Sequence, residues 1–447
     1  MTAQAPAAPA PVPASFGGFV AAATAAGRLV VQPRMGFGDP GRMRSGLART
    51  KAATAHTAGT LTVDSYTRVG DLAGARAAVA EGGTGLNGYP IAAHSPDTTR
   101  AVLHGLAGPD FPVQVRHGSA RPAAIVRALT AAGLDATEGG PVSYCLPYGR
   151  TPLRESVDAW VRACELLADG ARPGAVPHLE SFGGCLLGQL CPPGLLVATS
   201  LLECLFFVRF GLRSVSLSYA QQTDPAQDEE ALRALHRLAA EFLPADVDRH
   251  VVLYTYMGVY PRTEQGALRL LEASARLAVR SGAGRLIVKT AAEAHRIPGV
   301  GENVRALETA AAAAALAQAP GREDAGADGH GEVYQEARTL IETVLGLHPD
   351  LPRALTTAFR RGLLDVPFCL HPDNAGRSLG FIDPAGRLRW ARTGAMPIRP
   401  DTAAGAAPLT SDGLLAALHH VAGRYDDPRH RDRDDGHDRP PATPLTV

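Results

Sequence analysis

Short β-like runs, each closing on a charged or polar residue and followed by a helix-like segment, recur along this chain and narrow what it can fold into. Leu29–Gln32 leads to Arg34, TLTVDSYTR ends at Arg68, GLNGYPI surrounds Asn87, PVQVR ends at Arg116, and a segment near Asp135 leads to Glu138. Further on, HLES leads to Phe182, LRSVSLSYAQ and RHVVLYTYMG are strand-like, and RLIVKT carries Lys289. Helical patterns such as DLAGARAAVAEGG, DEEALRALHRLAAEF and GALRLLEASARLAVRSG lie between them. Strands alternating with helices give a parallel α/β fold. In a (β/α)8 TIM barrel all strand ends converge on one face, whereas in an open sheet they spread along an edge. Polar groups at so many strand ends favour the barrel. Nine segments compete for eight places, and those near Asp135 and ending at Arg68 are the weakest.

Local signals divide the chain further. Ser95 or Asp97 is placed to cap the helix SPDTTRAVLHGLAG, and Thr151 followed by Pro152 reads as an N-cap and first helical residue. The Gly- and Arg-rich stretch after Arg34 reads as a loop, and GREDAGADGHGE as an exposed one. Residues 1–14 are expected to be a disordered Ala/Pro tail, 15–364 the barrel, 365–425 an irregular capping segment, and 426–447 a disordered charged tail. His and Asp spacings in that last tail imitate metal ligands without a packed framework, so no metal site is expected.

Composition excludes several function classes. With a net charge of +0 over 447 residues, nothing argues for nucleic acid or an anionic membrane surface as partner. The most apolar run, Leu195 to Phe207, is too short to span a bilayer and contains Ser200 and Glu203. The start lacks the basic and apolar regions of a signal peptide. Six cysteines without a CxxC pair read as reduced, buried thiols of a cytoplasmic protein.

The chemistry concentrates at the strand ends. Arg34, Arg68 and Arg116 carry guanidinium groups, which grip carboxylates through paired, charge-assisted hydrogen bonds. Three converging suit a dicarboxylate, although an arginine at a strand end also salt-bridges neighbouring loops. Glu138 precedes two glycines that let backbone approach a ligand, and is placed to take an ammonium group or a proton, or else to face water in a turn. Tyr144 and Tyr148, four apart around Pro147, either bond a carboxylate or pack in the core. Lys289 and Glu293 either share a small polar site or form a surface pair. Phe182 either walls a flat ligand or packs at the rim. His117 reads as an acid–base group or, with no partner visible, as a structural imidazole. There is no P-loop, no GxSxG and no HExxH.

The ordered set VQPRMG, TVDSYTR, LNGYP, VQVRHG, EGG followed by VSYCLPY, FGG, YTYMG, LIVKTAAEA, and DVPF with NAG, spanning Arg28 to Pro397, resembles the larger (epsilon) subunit of glutamate mutase, also called methylaspartate mutase. The resemblance implies a (β/α)8 barrel, adenosylcobalamin as cofactor, and reversible rearrangement of L-glutamate to (2S,3S)-3-methylaspartate by radical chemistry. The family's substrate-clasping arginines fall on Arg34, Arg68 and Arg116, its ammonium-receiving glutamate on Glu138, and its substrate tyrosines on Tyr144 and Tyr148. Glu138 and Arg68 are the expected catalytic pair. Cofactor contacts fall on Gly36, Asn87, Pro147, Phe182, Tyr260, Lys289, Glu293 and Ile297. The family holds cobalt through a DxHxxG motif. The nearest match here, Asp248-Arg249-His250, lacks the glycine and begins a strand. The resemblance therefore implies a separate sigma chain carrying that motif and an epsilon2/sigma2 heterotetramer.

The chain departs from the family in a shortened N-terminal arm, in ESFGGCLLGQLCPP, and in its Ala- and His-rich C-terminal part. Two other readings stay open at this stage: a related cobalamin mutase or aminomutase with another amino-acid substrate, and a non-catalytic barrel subunit.

Overall fold

A computed structural model describes residues 15–147, 149–170, 172, 174–317, 331–401 and 410–430. Eight strands form one parallel sheet: β1 (Val30–Gln32), β2 (Gly59–Thr62), β3 (Val113–Arg116), β4 (Ala136–Gly139), β5 (His178–Ser181), β6 (Ser214–Ala220), β7 (Asp248–Tyr254) and β8 (Arg285–Ile287). The sheet runs in the order β1-β8-β7-β6-β5-β4-β3-β2. Its two ends meet at a parallel bridge between Val31 and Thr57. The result is a nearly closed barrel with the strands' C-terminal ends on one face, as the sequence predicts. Most strand residues are buried because one face fills the barrel and the other lies under helices.

Helix α1 (Phe16–Ala25) lies against the barrel's N-terminal end, and the outer layer comprises α2 (Pro40–Lys51), α3 (Ser65–Val69), α4 (Leu72–Ala80), α5 (Pro96–Leu103), α6 (Ala123–Ala131), α7 (Leu153–Asp169), α8 (Pro193–Arg209), α9 (Pro225–Phe242), α10 (Glu264–Ser281), α11 (Val300–Leu316), α12 (Glu332–Leu347) and α13 (Leu351–Arg361). The apolar Leu195–Phe207 run is α8, packed between β5 and β6 on one side and α9 and α12 on the other. Among the described residues, no helix is long and apolar enough to cross a membrane.

A polar layer fills the middle of the barrel. Arg285 pairs with Glu180 and bonds Gln32, while the Gln32 amide donates to Thr60 Oγ1 (2.9 Å) and Gln114 Oε1 (3.0 Å). Below it α1 closes the N-terminal face: the Phe16 ring stacks on His178 at 5.0 Å and lies 4.9 Å from the Arg285 guanidinium. Every member of this layer has partners inside the barrel, which is what allows charge there.

Several sequence expectations change. GLNGYPI is not a stave: it touches the barrel through a single bridge between Val63 and Tyr89, beyond the end of β2. The two segments ranked weakest are β2 and β4. The Gly- and Arg-rich stretch after Arg34 folds as α2, because the Asp39 carboxylate accepts from Arg42 N and Pro40 presets the first turn. Thr151 does not cap α7. Asp373, more than 200 residues on, accepts from Leu153 N at 2.7 Å instead. The capping segment contains an antiparallel hairpin, β9 (Ser378–Ile382) and β10 (Leu388–Thr393), followed by α14 (Ser411–Leu418) and α15 (His420–Asp426). The Gln227 side chain of α9 bonds both the N–H and the C=O of Leu388, fixing the hairpin to the barrel wall. Asp426, first residue of the expected charged tail, accepts from Arg262 N and Thr263 N. The Ala/Pro tail, GREDAGADGH and the tail after His430 lie outside the described residues. All six cysteines are unpaired and buried.

Candidate active site

The polar groups at the strand ends form three clusters on the C-terminal face. The first is central. Arg116, last residue of β3, turns into the barrel and donates through Nε to Glu138 Oε2 of β4 at 2.7 Å. Tyr254, last residue of β7, donates to the same Glu138 oxygen at 2.8 Å and touches Glu180 beneath; Arg116 donates to that phenol at 3.1 Å. Tyr144 donates to the other Glu138 oxygen. Burial works against the charge on Arg116, yet Glu138 and the phenols around it hold its proton well above the ordinary arginine range. One Arg116 nitrogen, Nη1, is buried with no hydrogen-bond partner among the described residues.

Aromatic rings wall this centre. Phe182 stands 5.0 Å from Tyr144 and edge-on to Tyr254 at 5.5 Å, so it packs in the wall beside Glu138. Gly139 takes φ +135, and an added Cβ there would meet Trp160 and Tyr144 at 2.5 Å, so the turn after Glu138 requires glycine. His117 stacks on Trp160 at 5.8 Å and accepts from Ser119 N. Burial, with Arg116 next, pushes it down to about 3, which makes it a neutral imidazole in the wall.

The second cluster lies where β8 meets β1. Arg34 pairs with Glu293 at 3.2 Å, and Lys289 Nζ stands 4.0 Å from the same oxygen. Glu293 also closes a capping box at Thr290, which fixes its direction. Lys289 lies 4.2 Å from the centre of the Tyr260 ring, whose buried hydroxyl has no hydrogen-bond partner among the described residues. Burial, then Arg34, lowers Lys289 to about 8 against the pull of Glu293. With Lys289 and Glu293 side chains 9% and 16% exposed, this is a shared polar site and not a surface pair.

The third cluster is Arg68. It belongs to α3 and not to the end of β2, and its chain runs beside Gly118 at the exit of β3, 3.0 Å from where a Cβ would stand. Among the described residues it has no hydrogen bond or ion pair. Asp64 and Asn87 hold α3 in place, accepting from Thr67 N (3.0 Å) and Ser65 N (2.9 Å).

A family model described as methylaspartate mutase E chain (MutE) matches residues 11–407. The chain belongs to the methylaspartate mutase E chain family. The glutamate mutase epsilon subunit of Halobacterium salinarum is 30% identical over 348 residues, covering 76% of this chain and 72% of that protein. That of Desulfitobacterium hafniense is 31% identical over 349 residues, covering 75% and 71%, and that of Escherichia coli O157:H7 is 29% identical over 352, covering 76% and 72%.

Within this methylaspartate mutase-family chain, the expected residues divide by environment. Arg116, Glu138, Tyr144 and Phe182 are linked by successive contacts, as are Arg34, Glu293, Lys289 and Tyr260. Gly36 lets backbone pass within contact of Thr62, where a Cβ would stand 2.1 Å from the carbonyl oxygen. Pro147 and Ile297 are exposed at the rim. Tyr148 lies outside the described residues. Tyr254 and Glu180 were not singled out from sequence. The alternation His250, Val252, Tyr254 carried the signal, since it turns the phenol to the same face as His250.

Proposed function

We propose that this chain is the substrate-binding epsilon subunit of an adenosylcobalamin-dependent glutamate mutase, which interconverts L-glutamate and (2S,3S)-3-methylaspartate. The observation that carries this reading is the unpartnered, buried Nη1 of Arg116 beside the Glu138 carboxylate. An unmet guanidinium nitrogen in a dry wall suits a substrate carboxylate, and the adjoining Glu138 suits its ammonium group. Arg68, with no protein partner among the described residues, supplies a second forked donor, and Arg34 a third if Glu293 releases it. Guanidinium groups for two carboxylates and a carboxylate for one ammonium group complement the charge signs of an amino dicarboxylate.

In the enclosed mouth these contacts act at low dielectric and fix the substrate's carbon skeleton while it reacts. Tyr144 and Tyr254 keep Glu138 oriented as its contact shifts from Arg116 to the ammonium group. The Phe182 and Trp160 rings exclude water from that side. The β8 corner fits a hydroxyl-rich adenosyl group: the unmet Tyr260 hydroxyl, the Lys289 ammonium and the Glu293 carboxylate offer donors and an acceptor. Adenosylcobalamin, when bound, supplies the radical that removes a substrate hydrogen. Asn87 and Gly36 hold the rim around it.

Cobalt coordination is assigned to a separate sigma chain with a DxHxxG motif, in an epsilon2/sigma2 heterotetramer. His250 of this chain sits on β7 against His178 and Arg285, at the opposite end of the barrel from the mouth. Exposed Val69 (71%), Ile297 (61%) and Leu370 (85%) surround the mouth and suit a docked partner. Six unpaired thiols accord with a cytoplasmic setting. The test is reconstitution. Purified chain, a small DxHxxG protein, adenosylcobalamin and L-glutamate should together yield 3-methylaspartate, and omission of any one should abolish it. Cofactor bound with no methylaspartate formed would refute the substrate assignment.

A further inference from the structure

Helix α8 is buried and apolar along almost its whole length, yet it carries a carboxylate, Glu203, with no solvent exposure. Among the described residues no cation pairs with it. Instead Oε1 accepts from Val142 N (3.1 Å) and Ser143 N (2.9 Å), and Oε2 from the Ser143 and Ser181 hydroxyls, both at 2.9 Å. The carboxyl group occupies the space beside Gly140, where a Cβ would stand 2.0 Å away. A leucine would serve α8's packing at far lower desolvation cost, so stability alone does not account for this residue.

Its four contacts have one thing in common. Ser143 immediately precedes Tyr144, the phenol bonded to Glu138, and Ser181 immediately precedes Phe182, the ring packed at a tilt against Tyr144. The turn carrying Tyr144 also has local backbone bonds such as Tyr144 N to Gly140 O and Cys145 N to Val142 O, and Ser156 Oγ of α7 donates to Pro141 O at 2.8 Å. We propose that Glu203 is a positioning residue: it locks the β4 and β5 exits so that Tyr144 and Phe182 hold Glu138 toward the substrate's ammonium group. This rests on the substrate assignment above. Burial pushes the Glu203 carboxyl up to about 7, while its donors at Ser143, Ser181 and Val142 pull the other way.

The test uses Glu203→Gln, which keeps the shape but removes the charge and obliges the Ser143 and Ser181 hydroxyls to turn round and accept from an NH2. In the reconstituted mutase, kcat/KM for L-glutamate should fall on the order of 10- to 100-fold with cofactor affinity unchanged, as expected for a small misplacement. In a Tyr144→Phe background the same change should cost less than about twofold, because the phenol being positioned is gone. In the isolated chain, amide exchange at Val142 and Ser143 should quicken about tenfold. A lower melting temperature with kcat/KM and exchange unchanged in the folded protein would overturn the proposal, as would losses that multiply independently of Tyr144. If Glu203→Gln does not fold, Ser143→Ala and Ser181→Ala read the same quantities. Faster exchange in a chain that shows no mutase activity when reconstituted would support the positioning and sink the substrate assignment instead.

Discussion

Arg68→Lys separates a substrate clasp from a structural arginine, because Arg68 has no protein partner to lose among the described residues. It lies half-buried on a five-residue helix whose first turn is held by Asp64 and Asn87, so the fold does not depend on its fork. The stability change should stay within about 0.5 kcal/mol, as for substitutions that touch no core, cap or network. The catalytic cost is different. Lysine keeps the charge but loses the paired, planar contact to a carboxylate. One charged hydrogen bond lost from a desolvated site costs about 1.5–3 kcal/mol, or roughly 10- to 150-fold in kcat/KM. The assay is turnover of L-glutamate by the reconstituted complex, alongside a thermal melt of the isolated chain. A melt within a degree or two of wild type with turnover down by that factor is the expected result. Unchanged turnover would remove Arg68 from the clasp. A collapse in stability would show that the guanidinium serves the fold.

Other perturbations test the framework. Arg285→Met leaves Glu180 buried without its partner, and denaturant unfolding should show a loss of about 3–5 kcal/mol. Asp373→Ala removes the cap on α7 supplied by the C-terminal segment and should cost about 1 kcal/mol in the same assay. Burial holds His117 and His178 near 3 in the folded chain, with Arg116 and Arg285 adding to the effect. Unfolded histidines titrate near 6.5, so the stability from keeping these rings neutral is complete above that pH and drains away between it and about 3. At pH 5.5 each should cost about 1.4 kcal/mol, and His178→Asn should flatten that part of the pH–stability curve.

The barrel was legible because its rule is local: an apolar run, a polar residue at its end, then a helix. Arg116, Glu138 and Lys289 all obey it. Arg68 was placed at a strand end but lies on α3, because Asp64 starts a helical turn immediately after β2 and carries the arginine onto it. GLNGYPI imitated a stave because Tyr89 does meet β2, but Tyr89 N bonds Thr62 O at the strand's very end and nothing continues the ladder. The stretch after Arg34 was hidden by its glycines, although Asp39 and Pro40 carried an ordinary helix-start signal.

What could not be read is what lies inward. β8 spans three residues, Arg285 to Ile287, too few to show a period of two, so nothing local says that Arg285 points into the barrel. Its partner Glu180 lies 105 residues away. The same holds for Glu203, an oddity in an apolar run until β4 and β5 bring Val142, Ser143 and Ser181 to it. Both carboxylates are costly to bury and find all their partners on other elements. Their placement is therefore a property of the closed barrel, and removing those partners one at a time should expose the cost of each carboxylate separately: Arg285→Met in stability, Ser143→Ala in turnover.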